Sequence, residues 1–284
     1  MKHILIIGNT GYIGKSLLNW LSSYSEQYYV QGASARNNQW KSVDFSQYDV
    51  VVNCVGVAHI NNITHDMKEM FFLINRDLAI EIGEYAKKYG VKQFVHFSSM
   101  NVYGDYCDDI SDRNAVNPTS FYGNSKLQGD LGLEKIEDEK FIVAHVRPPF
   151  VYGKGCSGNY NTISKIAKKT PIFPDFENRK SMIYIDNLCE FVRLVIDNRT
   201  GGYLTPQNKE LVSTADLVRE IAEVSRKKIL FTKIFNCVLP TGNALVHQIR
   251  RAFANDCYIS ELSDYFDWKY CVVDFKNSIR LTER

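Results

Sequence analysis

The residues with the clearest chemical use in this 284-residue chain are a tyrosine and a lysine four apart, in Tyr122-Gly123-Asn124-Ser125-Lys126. On a helix, that spacing puts both on one face. A phenol is a poor base at neutral pH, and a neighbouring ammonium favours its phenolate. Tyr122 could then exchange a proton with an alcohol on a reacting carbon. Earlier in the chain, Phe97-Ser98-Ser99-Met100-Asn101-Val102-Tyr103-Gly104 leaves an apolar run that reads as a strand. In a parallel sheet, ligand sites lie beyond the carboxyl ends of the strands. Ser99 and Tyr122 should therefore converge at one edge, with Ser99 orienting the reacting oxygen by a hydrogen bond.

A second chemical signal stands at the amino terminus. Gly8-Asn9-Thr10-Gly11-Tyr12-Ile13-Gly14 follows the apolar run His3 to Gly8 and opens a helical pattern. Glycines at such a junction permit a tight turn and a close approach of backbone to a pyrophosphate, which the helix N-terminus favours. The turn, with Thr10, Tyr12 and Ile13 between and after its glycines, reads as a dinucleotide site for NAD or NADP. An oxidised nicotinamide would add to the pull of Lys126 on the Tyr122 phenol, and would exchange hydride with the carbon whose oxygen Tyr122 serves. The end of the second strand bears on the choice of cofactor. It reads Gly32-Ala33-Ser34-Ala35-Arg36, with no carboxylate for the ribose hydroxyls and with Arg36 available to a 2′-phosphate, which favours NADP. Asp44-Phe45 either flanks the adenine or is an ordinary turn.

The elements that must position these residues follow from periodicity. Strands are expected at His3 to Gly8, Tyr28 to Ala33, Asp49 to Val55, Val91 to Phe97 and Phe141 to Arg147. Helices are expected at Tyr12 to Tyr24, Met67 to Tyr89 and Ser120 to about Ile136, with Gly90 as a C′ glycine. This alternation predicts an α/β, Rossmann-type doubly wound parallel sheet. Between Ala33 and Asp49 there is room only for a loop or a single turn. After Arg147-Pro148-Pro149, a helix is expected at Asn161 to Lys169 and a break at Pro171 to Pro174. A strand at Ser181 to Ile185 would follow, then a helix capped by Asp186 and running to Asp197. Beyond Gly201-Gly202, a helix from Thr214 and a strand near Ile229 to Phe231 are expected. The division predicted is a dinucleotide domain over 1–155, with 181–200 returning to it. A smaller substrate-binding lid would take 156–180 and 201–284.

Composition narrows the class. A chain that is 45% hydrophobic, 23% charged and of net charge +2 gives no reason to expect disorder or a nucleic-acid partner. The first apolar run is too short for a membrane span or a signal peptide. Seven scattered cysteines contain no CxxC pair, and six histidines show no HExxH spacing. No metal site or disulfide framework is expected, and the cysteine usage fits a reducing cytoplasm.

Taken as an ordered set, GxxGxxG, SSxxxVYG, YxxxK and RPPxVYG resemble the extended short-chain dehydrogenase/reductase superfamily, in particular its NAD-dependent epimerase/dehydratase branch. The resemblance spans about residues 3 to 200. It implies that Ser99, Tyr122 and Lys126 are catalytic, that Gly8, Gly11 and Gly14 hold the cofactor, and that Pro148 packs near the nicotinamide. Asn75 matches a helix asparagine of that family, or is an ordinary polar helix position. Related dehydratases carry an Asp-Glu pair where this chain has Met100-Asn101, which argues against elimination of water; Met100 and Asn101 are counted with the substrate-binding residues. The family's diphosphate-binding arginine falls on Lys180, beside Arg179. Its further C-terminal arginine has only Arg250 and Arg251 as candidates, and Lys165, Lys168 and Lys169 read as a solvated helix face. The implied activity is hydride transfer at C4 of a UDP-hexose, as a 4-epimerase or, alternatively, as an NADPH-dependent 4-keto-6-deoxy-sugar reductase. A non-catalytic cofactor sensor is a third reading, disfavoured because Ser99, Tyr122 and Lys126 are all present. Similar proteins form homodimers through the helices carrying Asn75 and Lys126.

Overall fold

The apolar runs of the first half pair into one six-stranded parallel sheet. Its strands are β1 (Lys2–Ile7), β2 (Tyr28–Ala33), β3 (Val50–Asn53), β4 (Gln93–Phe97), β6 (Ile142–Val146) and β10 (Gly202–Leu204), in the order β10-β6-β4-β3-β1-β2. The computed structural model describes residues 1–58, 65–105, 108–234 and 254–284. Successive residues of the strands alternate between two cores. Ile4, Ile6, Val50, Val52 and Val95 face one side. Leu5, Ile7, Val51, Phe94 and Val143 face the other. Helices cover both faces, as the unbroken apolar runs require. Leu17 and Leu21 of α1 (Tyr12–Ser22) and Leu188 and Val192 of α6 (Ile185–Asp197) close the first core. Ile82 and Ala86 of α3 (Ala79–Lys88) and Leu133 of α4 (Phe121–Glu134) close the second.

The short β2–β3 crossover contains no α-helix. Two 3₁₀ turns, Arg36–Ser42 and Phe45–Gln47, take its place. Their rings do the work a helix would: Trp40 packs edge-on against Phe45 and Tyr85. The long helical pattern after β3 is three pieces, α2 (His65–Phe72), a π-helical stretch at Leu73–Leu78, and α3. Gly90 stands after α3 in the left-handed region, at φ 81°.

The remainder is built from short paired segments. β5 (Asp108–Ile110) pairs with β12 (Asp256–Tyr258), β7 (Phe150–Tyr152) with β9 (Met182–Tyr184), and β8 (Ile172–Pro174) with β11 (Leu230–Thr232), all parallel. α5 (Asn159–Lys169), α7 (Thr214–Val224) and a C-terminal helix at Phe275–Glu283 complete it.

Two expectations are corrected. Pro171 to Pro174 is not a break but encloses β8, a two-stranded edge where a missing proline N–H is tolerated. Asp186 does not cap α6, because β9 runs straight into the helix and Tyr184 is the N-cap; Asp186 lies in the first turn. β10 pairs with Ala144–Val146 and completes the main sheet, and Leu217, Ile221, Phe275 and Ile279 share the core of Ile4 and Ile6. No helix of the described residues is long and apolar enough to cross a membrane.

Candidate active site

All strands of the main sheet run the same way, so the segments that leave β1, β3, β4 and β6 gather along one edge. The turn after β1 has the local geometry of an anion cradle. Gly8 takes φ 88°, a region open mainly to glycine, and the Gly11 N–H donates to its carbonyl at 3.1 Å. A Cβ on Gly14 would collide with that same Gly8 carbonyl oxygen, whereas one on Gly11 would meet nothing closer than 3.5 Å. Gly14 thus serves the fold, and Gly11 leaves space above the start of α1. No side chain caps that helix end, where Gly11 is the N-cap. Thr10 is exposed, and Ile13 packs against the core below. These residues fit a dinucleotide pyrophosphate.

The loop after β3 approaches closely from the other side. Gly56 has Lys126 Nζ 2.8 Å and Asn75 Oδ1 3.3 Å from where a Cβ would stand. Asn75 is fully buried in the π-helical stretch, whose extra residue turns it inward. Its Oδ1 accepts from the Val57 N–H (2.9 Å), and its Nδ2 donates to Val57 O and to Ser125 Oγ, both at 3.0 Å. Asn75 therefore ties the β3 loop to the helix that carries Tyr122 and Lys126.

The start of α4 packs on the turn that carries Ser99, with Gly123 against the Asn101 carbonyl oxygen; burial raises the Tyr122 phenol, and the nearby Ser99 hydroxyl opposes that rise. Ser99 Oγ donates to Asn101 Oδ1 (3.1 Å) and accepts from the Asn101 N–H (3.2 Å). Phe71 packs its ring 6.2 Å from that of Tyr122. Lys126 is buried, and its ammonium donates to Phe97 O at 2.8 Å. Burial pushes it down to about 8, against the opposing influence of Asp130 and Cys54. One turn further along α4, Asp130 is fully buried. Its Oδ2 accepts from Ser98 Oγ (2.8 Å) and Arg147 Nε (3.0 Å). Its Oδ1 faces His145 Nδ1 at 3.2 Å. Burial alone would raise this carboxyl; the His145 hydrogen bond, with Arg147 and His96, holds it well below the usual range.

Other expected residues lie as follows. Pro148 is buried, and its carbonyl accepts from the Met100 N–H at 3.0 Å, joining the ends of β4 and β6. Met100 itself points into a small core with Val102, Tyr103 and Tyr258. Ser34 Oγ accepts from the Arg36 N–H (3.1 Å), and Arg36 is exposed. Asp44 caps its own 3₁₀ turn through the Ser46 N–H, while the Phe45 ring is buried against Trp40 and presents no face to an adenine. The Tyr12 hydroxyl is enclosed, packed towards Gly153. Arg179 is exposed and paired with Asp109 at 2.7 Å, and the Lys180 backbone bridges Val212 and Asp256. Arg250 and Arg251 lie outside the described residues. Of the side chains that sequence reasoning missed, Gly56 carried a signal, a glycine just past a strand; Asp130 and Phe71 carried none beyond helical spacing from Tyr122 and Lys126.

Comparison with known proteins bears on the family and the fold. The profile described as "NAD dependent epimerase/dehydratase family" matches residues 4–204. Over 254 residues the chain is 28% identical to the UDP-glucose 4-epimerase of Vibrio cholerae, covering 78% of this chain and 75% of that protein. Over 247 residues it is 26% identical to the N-acetyl-alpha-D-glucosaminyl-diphospho-ditrans,octacis-undecaprenol 4-epimerase of Escherichia coli O157:H7, covering 80% and 73%. A dTDP-4-dehydrorhamnose reductase from Clostridium acetobutylicum shares the fold, with a TM-score of 0.74 at 17% identity over 99% of this chain and 98% of that one.

Proposed function

Because the chain belongs to the NAD dependent epimerase/dehydratase family, whose match spans residues 4–204, we propose that it is a 4-epimerase of a UDP-hexose. The single observation that carries this is the packing of the start of α4 on the turn that holds Ser99, where Gly123 lies against the Asn101 carbonyl oxygen and buried Lys126 donates to Phe97 O at 2.8 Å. A nicotinamide bound along that edge would accept hydride from the sugar carbon and return it. Tyr122 takes the proton from the C4 hydroxyl and gives it back; Ser99 hydrogen-bonds the same oxygen. Lys126, as an ammonium, favours the phenolate form of Tyr122. Asn101 offers an amide where water elimination would need an acid or base, so the ring substituents at C5 and C6 stay in place. Arg179 or Lys180 would meet the diphosphate, Arg179 at the expense of its pair with Asp109.

A net 4-keto-sugar reductase using NADPH is the second reading. It is favoured by exposed Arg36 and the lack of a carboxylate over Ala33–Arg36. One experiment separates the two. Purified protein is offered UDP-glucose and UDP-GlcNAc with NAD, and a UDP-4-keto-6-deoxy sugar with NADPH, and products are read by NMR at C4. Inversion at C4 without net cofactor change is expected, with Tyr122→Phe slowed by roughly 10²–10⁴-fold. Stoichiometric NADPH consumption with no inversion would replace the first reading by the second. The homodimer belongs to the same proposal, supported by exposed Leu73 on the π-helical stretch and Leu131 on α4. Light scattering should give twice the chain mass, and Leu131→Glu should halve it; a monomeric wild type would refute this.

A further inference from the structure

The buried charge beneath the site has no part in the chemistry above. Tyr122, Lys126 and Asp130 stand at i, i+4 and i+8 of α4, on one face. Among the described residues Lys126 hydrogen-bonds a neutral acceptor, the Phe97 carbonyl, so its countercharge must come from elsewhere. Asp130, one turn on, is also bonded to the neighbours of both strand ends that the site uses. Ser98, which precedes Ser99, donates to its Oδ2, and Arg147, which precedes Pro148, grips the same oxygen through Nε and Nη2, each at 3.0 Å. Arg147 Nη1 donates to Tyr103 Oη (3.1 Å) and Arg113 O (2.8 Å), so the guanidinium is fixed on both sides.

We propose that Asp130 is a positioning residue, whose carboxylate keeps Lys126 an ammonium and locks the β4 and β6 ends that place Ser99 and Pro148. The assignment rests on the reading of Lys126 and Tyr122 given above. The groups facing this carboxylate are known from each element packed on it. His96 on β4 has Nε2 at 3.9 Å, His145 and Arg147 come from β6 and its end, and the Arg147 guanidinium lies 3.9 Å over the Tyr203 ring on β10. Cys54, after β3, is the other ionisable neighbour of Lys126. Burial pushes its thiol up, so it stays neutral and supplies no countercharge. Asp130 alone does so among these groups.

The test is a titration that needs no substrate. In protein saturated with NAD and carrying ¹³Cε-labelled lysine, the Lys126 resonance is assigned by its loss in Lys126→Met and followed against pH. Asp130→Asn leaves Lys126 and Arg147 as two cations without a carboxylate, so the Lys126 midpoint should fall by roughly 1 pH unit or more. The alkaline limb of kcat on the active UDP-sugar should move down by the same amount, and Asp130→Glu should restore both. If Asp130→Asn does not fold, Asp130→Asn/Arg147→Gln is compared with Arg147→Gln alone, so that the pair differs only in the carboxylate, and is judged by the same criterion. An unmoved Lys126 midpoint in either folded variant would overturn the proposal and leave Asp130 a structural anchor. Failure of every UDP-sugar to turn over would instead remove the functional reading, because the lysine titration is read without turnover.

Discussion

At the scale of single residues, two glycines of one turn carry different duties, and a methyl group tells them apart. On Gly14 it would strike the Gly8 carbonyl oxygen, which the turn cannot move because Gly8 is already held at φ 88° and bonded to the Gly11 N–H. On Gly11 it would sit at ordinary contact distance, with backbone angles of φ −73° and ψ 162° that alanine adopts freely. Gly14→Ala should therefore destabilise the protein itself by about 1–3 kcal/mol. Gly11→Ala should cost under about 1 kcal/mol of stability, from the weaker N-cap. Its methyl would instead occupy the space a pyrophosphate needs, and dinucleotide affinity should drop about tenfold or more. Thermal unfolding and a cofactor titration on the two variants separate these effects. Wild-type NAD(P) affinity in Gly11→Ala would show that the phosphates do not pass over this turn.

At the scale of elements, what the sequence made legible was whatever repeats. Buried strands announce themselves by unbroken apolar runs such as Val50-Val51-Val52, and the helices by periodicity, so the sheet and its covering layers were readable. What periodicity cannot show is a change of period inside a helix. The π-helical stretch at Leu73–Leu78 looks like ordinary helix in sequence, yet its extra residue is what brings Asn75 onto Val57 and Ser125. The crossover after β2 was legible as short because it is too brief for a helix, but its filling was not. Trp40 and Phe45 read as loop residues, and only the three-dimensional neighbour Tyr85 explains why both are buried. Beyond Pro149 the segments pair over long separations, β8 with β11 and β5 with β12, and three-residue strands carry too little pattern to be seen. The proline-bounded segment 171–174 misleads for that reason. At the site itself, Ser99, Tyr122 and Lys126 were visible as types and spacing. Asp130 was not, because a lone carboxylate on a helix reads as a surface charge until its partners from β4 and β6 are known.

At the scale of the whole molecule, one core runs from β1 to the C-terminal helix, and at its centre the charge cluster around Asp130 makes stability depend on pH. His96, on the central strand β4, is fully buried. Asn53 Oδ1 accepts from the Val55 N–H (3.0 Å), so the Asn53 amide nitrogen is the group facing His96 Nδ1 at 3.3 Å. That leaves the ring proton on Nε2, and a second proton on Nδ1 would confront a donor. Burial and then Lys126 push the imidazole down to about 3, against the pull of Asp130. A histidine held neutral in the fold, while the unfolded chain titrates near 6.5, withdraws stability as pH falls below 6.5, by up to about 1.4 kcal/mol per pH unit. Asp186 acts in the opposite sense, because burial raises its carboxyl. The His96 contribution must therefore be isolated by comparison with His96→Gln. Between pH 6.5 and 4.5, wild type should lose roughly 2–3 kcal/mol more than that variant, in urea unfolding at the two pH values. Parallel losses in the two proteins would mean that His96 takes up its proton inside the fold, and that the Asn53 contact does not hold it neutral.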